Sequence, residues 1–116
     1  MRIENAEFHY PTVPDVQVLA GVSIDVPTNK IVALVGASGC GKSSIISLIE
    51  RFYDPMVGNV SYNNIDLKDI DNKWYHQEEI AIVQQEPVLF SGTIKENILY
   101  GTNMTHLTPK ELADAL

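Results

Sequence analysis

The chain has 116 residues, 12.9 kDa and 45% apolar residues, enough for one domain or part of one and too apolar for disorder to be the default. A formal charge of -7 argues against a nucleic-acid partner, whose footprint is a basic patch, and a single cysteine, Cys40, excludes an internal disulfide. No window approaches the roughly 20 apolar residues of a membrane-spanning helix, and the first residues lack the apolar core of a signal peptide.

Ala6, Phe8 and Tyr10 alternate with Glu7 and His9, and Val22, Ile24 and Val26 alternate with Ser23 and Asp25. This period of two predicts half-exposed antiparallel strands, with a turn marked by Pro11, Pro14 and Asp15 between them. After Pro27, Asn29 and Lys30 suit a tight turn, because asparagine tolerates a positive φ. Ile31-Val32-Ala33-Leu34-Val35 is a continuous, β-branched apolar run, the pattern of a strand covered on both faces in a parallel sheet.

Directly after this run comes GASGCGKS, residues 36–43, which meets the phosphate-loop pattern through Gly36, Gly41, Lys42 and Ser43. A triphosphate needs converging backbone N–H groups, a mobile cation and a hydroxyl that shares a magnesium ion. Glycines let the backbone approach the oxygens, the following helix adds its N-terminal dipole, and Lys42 supplies the cation. The loop contains no carboxylate, so the acidic net charge does not oppose ATP.

Ile45, Leu48, Ile49 and Phe52 recur at helical spacing, predicting a helix with one buried stripe that stops near Tyr53, since Pro55 disfavours helical geometry at Asp54. Residues 58–62 suit a short strand, Asn63 and Asn64 a turn, and Asp71 the cap of a short helix carrying Trp74 as a packing residue. Ile80-Ala81-Ile82-Val83 reads as a second buried strand, which would complete a strand–helix–strand crossover. Thr93 with Glu96, and Thr108 with Pro109 and Glu111, fit capping boxes. Leu112, Ala113 and Leu116 start an apolar stripe of about two turns, too short for a stable helix, so a continuation past Leu116 is expected. The fold class predicted is α/β: a phosphate-loop core of parallel strands with a crossover helix, preceded by an antiparallel β layer, as an incomplete domain. The layer is placed at about 1–28, the core at about 29–86 and the start of a helical region at about 87–116.

The stretches FHYP, VLAGVSIDV, ALVGASGCGKSS, RFYDPMVGNV and IVQQEPVLFSGTIKENILYG follow in this order. Together they resemble the first half of an ABC transporter nucleotide-binding domain, most closely that of multidrug and peptide exporters. The resemblance implies that Tyr10 stacks on adenine with Val18 against the same base. Gly36, Ser38, Gly39, Cys40, Gly41, Lys42, Ser43 and Ser44 would surround the phosphates of ATP, with the Ser43 hydroxyl on Mg2+. Gln85 matches the Q-loop glutamine, which contacts magnesium and the attacking water, and makes a candidate catalytic pair with Lys42. Residues 87–101 would face a transmembrane domain of the same or a partner chain, on the cytosolic or mitochondrial matrix side of a membrane. A second nucleotide-binding domain would supply the signature motif.

Two departures are mild: Ser44 stands where threonine is common, and Asn29-Lys30 where a glycine is usual. A larger one is that no LSGGQ-like signature and no apolar strand ending in Asp-Glu follows Lys42, while His76 and His106 do not occupy a switch position. Without a general base or a composite site, the resemblance implies a chain that binds ATP and does not hydrolyse it alone. A non-catalytic nucleotide-binding module remains open beside the transporter reading. Another phosphate-loop enzyme, such as a nucleotide kinase, has less support, because acceptor and lid segments are missing. Cys40 reads as a small residue at a permissive loop position, and Asp66, Asp69 and Asp71 as a solvated, helix-capping surface.

Overall fold

The period-two alternation near the N-terminus builds an antiparallel sheet. Residues 1–86 and 88–100 of the computed structural model are described; the chain divides into a first compact unit, Met1–Tyr75, and a second that begins at His76. In the first unit β1 (Arg2–Phe8), β2 (Leu19–Asp25), β3 (Val57–Tyr62) and β4 (Ile65–Asp66) pair in the order β2-β1-β3-β4, antiparallel throughout. The turn after β1 is closed by Val13 N–H donating to the Tyr10 carbonyl at 2.9 Å. Asn29 takes φ 58°, and Asn63 and Asn64 take 51° and 64°, the two positive values that a tight hairpin between β3 and β4 requires.

A bulge sets which side chains of β1 face inward. Between Ile3 and Ala6 the strand advances three residues while β2 advances two, and Asn5 absorbs the extra residue at φ 48°. Ile3, Ala6 and Phe8 are therefore all buried although their spacing is not strictly two. Gly58, at φ 82°, lets β3 pass the bulge, since a Cβ there would collide with the Glu4 and Asn5 carbonyl oxygens.

Against this sheet the chain adds α1 (Lys42–Ile49), which buries Ile45 and Leu48. Leu48, Val60 of β3 and Leu67 line one small cavity, and burying each such side chain stabilises the fold by about 1.5–3 kcal/mol. A short α2 (Asn72–Trp74) is capped as predicted: Asp71 Oδ1 accepts from Trp74 N–H at 2.7 Å. Asp66 likewise accepts from Lys68 N–H at 2.9 Å, and among the described residues no group of His, Cys, Asp or Glu is arranged to hold a metal.

Several expectations are corrected. The helix after the loop ends at Ile49, before Tyr53, because Arg51 turns left-handed at φ 56°. Phe52 N–H then reaches Ser47 O at 3.0 Å and Arg51 N–H reaches Leu48 O at 3.1 Å, the pair of bonds that closes a Schellman motif. Phe52 consequently points to solvent, at 61% exposure, instead of completing the buried stripe. Trp74 is exposed as well, while its neighbour Tyr75 is buried and donates its hydroxyl to Ile49 O at 2.9 Å. Successive helical residues lie about 100° apart, so turning Tyr75 inward turns Trp74 out.

The largest difference concerns the two apolar runs. Neither residues 31–35 nor residues 80–83 pair as strands, and Ile31 and Val83 stand fully open at 101% and 98% exposure. The predicted parallel crossover is therefore absent among the described residues. The reason is physical: a parallel strand has no hairpin partner, so its hydrogen bonds and the layers over both its faces must come from segments distant in sequence.

The second unit contains α3 (Ile94–Leu99), entered through the predicted capping box: Thr93 Oγ1 accepts from Glu96 N–H, and Glu96 Oε2 accepts from Thr93 N–H at 2.7 Å. Thr108, Pro109, Glu111, Leu112, Ala113, Leu116 and His106 lie outside the described residues. Among the described residues no helix is long and apolar enough to cross a membrane.

Candidate functional site

The phosphate-loop pattern folds into a glycine-dependent cradle at the start of α1. Gly39 and Gly41 adopt φ 80° and 93°, where side-chain-bearing residues are strained. Gly41 is also buried, and a Cβ on it would come within 2.8 Å of Leu19 Cδ2 and 3.3 Å of Val18 O. The absence of a side chain at Gly41 is thus what allows the N-terminus of α1 to sit against the start of β2. Val18 is in turn tied to the end of β1, its N–H donating to Phe8 O at 2.8 Å. Tyr10 follows Phe8 by two residues, so the close of β1 delivers it to the same place.

Tyr10, Val18, Ser38, Gly39, Gly41, Lys42, Ser43 and Ser44 together line a cavity of about 460 Å³. This lies within the usual size of small-ligand sites, roughly 300–1,000 Å³. Lys42 is the one charged residue in that lining, and no carboxylate belongs to it. Gly36 and Cys40 are not among the lining residues, though both contact the Lys42 ammonium. Lys42 Nζ donates to Gly36 O at 2.8 Å and Ala37 O at 2.7 Å, with Cys40 Sγ 3.6 Å away. Gln85 belongs to the second unit and is exposed in a bend.

Tyr10 is held more firmly than its sequence pattern suggests. Its ring meets Phe8 edge-on at 5.0 Å and Tyr53 edge-on at 5.3 Å, while Phe8 and Tyr53 lie 5.5 Å apart. Its hydroxyl lies 2.9 Å from Ser44 Oγ. Arg51 and Tyr53 lie in the stretch RFYDP, which helps carry the family resemblance but by itself points to no site role for either residue. Arg51 donates from Nη1 to Ile70 O at 2.9 Å and from Nη2 to Lys68 O at 3.3 Å, holding the chain after α1 so that Tyr53 reaches Tyr10. Periodicity carries no signal for either contact, because both depend on where a left-handed residue sends the chain.

In the second unit Asn97 binds the backbone ahead of α3. Its Oδ1 accepts from Phe90 N–H at 2.8 Å, and its Nδ2 donates to the Phe90 and Thr93 carbonyls at 3.0 Å each. Phe90 and Tyr100 stack at 4.3 Å, and both remain exposed beside Val88, Leu89 and Ile94.

The ABC transporter family model matches residues 19–115. The chain is 48% identical over 113 residues to the ABC multidrug transporter MDR5 of Trichophyton rubrum, covering 97% of this chain and 8% of that protein. It is 52% identical over 103 residues to the ABC multidrug transporter MDR1 of Cryptococcus neoformans var. grubii, covering 89% of this chain and 7% of the relative. It is 44% identical over 119 aligned positions to the mouse ATP-binding cassette sub-family B member 5, covering 99% of this chain and 9% of the relative. The chain thus spans less than a tenth of the length of these relatives.

Proposed function

The chain belongs to the ABC transporter family, and on that premise we propose that it is the ATP-binding portion of an exporter's ATPase domain. In the complete protein that domain couples ATP hydrolysis to solute transport across a membrane. The observation that carries the reading is the cavity itself, which gathers an aromatic ring, an apolar side chain and a glycine loop with one lysine around one space. Tyr10 and Val18 take the adenine. The loop N–H groups of residues 38–44 take the phosphates, with Lys42 leaving its carbonyl partners to reach them. Magnesium ATP would supply the phosphate oxygens and a cation to offset their charge, and the Ser43 hydroxyl would hold that cation.

The lining supports binding by this portion, and hydrolysis is assigned to the complete protein. Gln85 is assigned the Q-loop role, beside Lys42 as the second catalytic candidate, on its place in the QEP stretch alone. The partners in the complete protein are a transmembrane domain, facing residues 87–101, and a second nucleotide-binding domain that supplies the signature motif. The domain sits on the cytosolic or matrix side of its membrane.

Thermal unfolding with and without magnesium and ATP tests the reading. ATP at about 100 times its Kd stabilises the folded chain by about 2.7 kcal/mol, and Lys42→Ala removes most of that gain. An unchanged Tm in well-folded protein refutes the proposal.

A further inference from the structure

Ser44 is buried at 4% exposure, yet it lines the cavity and has one hydrogen-bond partner, the Tyr10 hydroxyl at 2.9 Å. A serine hydroxyl has one hydrogen to donate and two sites that accept. Serines on helices commonly return that hydrogen to a carbonyl one turn back, but among the described residues the Ser44 hydroxyl has only the Tyr10 contact. Either hydroxyl can donate across this contact; the phenol O–H is the more acidic of the two, which favours Tyr10 as donor and Ser44 Oγ as acceptor. With Tyr10 donating, the Ser44 hydrogen has no acceptor among the described residues and lies beside the cavity that Lys42 also lines. Tyr10 cannot easily swing aside to change this, because its ring is wedged edge-on between Phe8 and Tyr53.

We infer that the Tyr10 hydroxyl is a positioning group for the phosphates: by donating to Ser44 Oγ, it orients the Ser44 hydrogen toward a ligand oxygen. This rests on the cavity being an ATP site and adds a role for Tyr10 that stacking on a base does not contain. Donation into Ser44 also polarises its O–H bond, so the hydrogen offered to the phosphate is a better donor than that of an isolated serine. One residue thereby links the two ends of the ligand, its ring serving the base and its hydroxyl serving the phosphates.

Calorimetric titration with magnesium tripolyphosphate, which has no base, and with magnesium ATP separates the two functions of Tyr10. Tyr10→Phe keeps the ring and removes the hydroxyl. It weakens both ligands by a similar factor, about fivefold, the size expected for losing one hydrogen bond between neutral hydroxyls. On a Ser44→Ala background, Tyr10→Phe changes neither affinity, because the relay is already broken. In the unaltered chain, the 13C resonance of Tyr10 Cζ moves when tripolyphosphate is added, a readout that does not depend on any variant folding. Unchanged or tighter tripolyphosphate binding in folded Tyr10→Phe, or a Tyr10 Cζ signal that ignores tripolyphosphate, overturns the inference and leaves ATP binding standing. If the unaltered chain binds neither ligand, the ATP reading fails and this inference with it.

Discussion

Lys42 Nζ donates to the carbonyl oxygen of Ala37 at 2.7 Å, which holds the cation of the phosphate loop over the loop's own backbone. The Gly36 carbonyl is its second acceptor at 2.8 Å. A phosphate oxygen carries a full charge where a carbonyl offers a dipole, so the exchange of partners on ligand binding favours the ligand. On the function proposed above, the contact keeps the lysine beside the phosphates it would take.

Cys40 lies behind that lysine, exposed, with Sγ 3.6 Å from Lys42 Nζ. A bulky maleimide on this thiol crowds the Lys42 ammonium 3.6 Å away and presses on Gly36, where a Cβ would come within 2.6 Å of Cys40 Sγ. Alkylation of Cys40 is expected to abolish ATP binding. ATP at about ten times its Kd slows the labelling by about tenfold, by occupancy alone. Measured labelling rates that are equal with and without ATP contradict this.

Arg51 serves two opposed requirements at the end of α1. Its left-handed φ of 56° costs about 1–2 kcal/mol for a residue with a Cβ, while its guanidinium bonds to Ile70 O and Lys68 O offset that cost. Arg51→Ala keeps the strain and loses both bonds, so it destabilises by about 1–3 kcal/mol. Arg51→Gly loses the bonds but relieves the strain, and should retain about 1 kcal/mol more stability than Arg51→Ala. Urea midpoints for the two variants check the order; glycine no better than alanine would mean that the left-handed turn is not strained.

The cap of α3 makes a pH prediction. Glu96 is held below its ordinary value of 4.5, first by the Thr93 backbone N–H and then by the Thr93 hydroxyl, both donating to its carboxylate. A folded pKa below the unfolded one means that this contribution is fully present above the ordinary carboxylate range and is lost as pH falls through the lower folded value. The Thr93 amide resonance should therefore titrate with a midpoint below 4.5, and Glu96→Gln should flatten the response. A midpoint at or above 4.5 would show that the cap does not favour the ionised carboxylate.

Much of the local structure was legible in the residues. The turn at Asn29, the hairpin at Asn63 and Asn64, the Asp71 cap, the Thr93 and Glu96 box and the helix after GASGCGKS all depend on groups within a few positions of one another. What was not legible needs more of the chain. Residues 31–35 carry the composition of a buried strand, but composition states only that a strand could be covered, and the pairing must come from elsewhere. The Asn5 bulge shifts the inward phase of β1, and no alternation pattern contains an inserted residue of that kind.

By itself, then, the sequence determined the kind of ligand for which the loop is suited and the family to which the chain belongs, because both reside in short ordered motifs. Only the tertiary structure decided that Tyr10 leans on Tyr53 and hydrogen-bonds Ser44, that Gly41 lets α1 meet β2, and that Phe52 and Trp74 face outward. Tyr10 and Ser44 are 34 residues apart. Their contact is set by how a bulged strand and a left-handed helix end direct the chain, and neither device acts on its sequence neighbours alone.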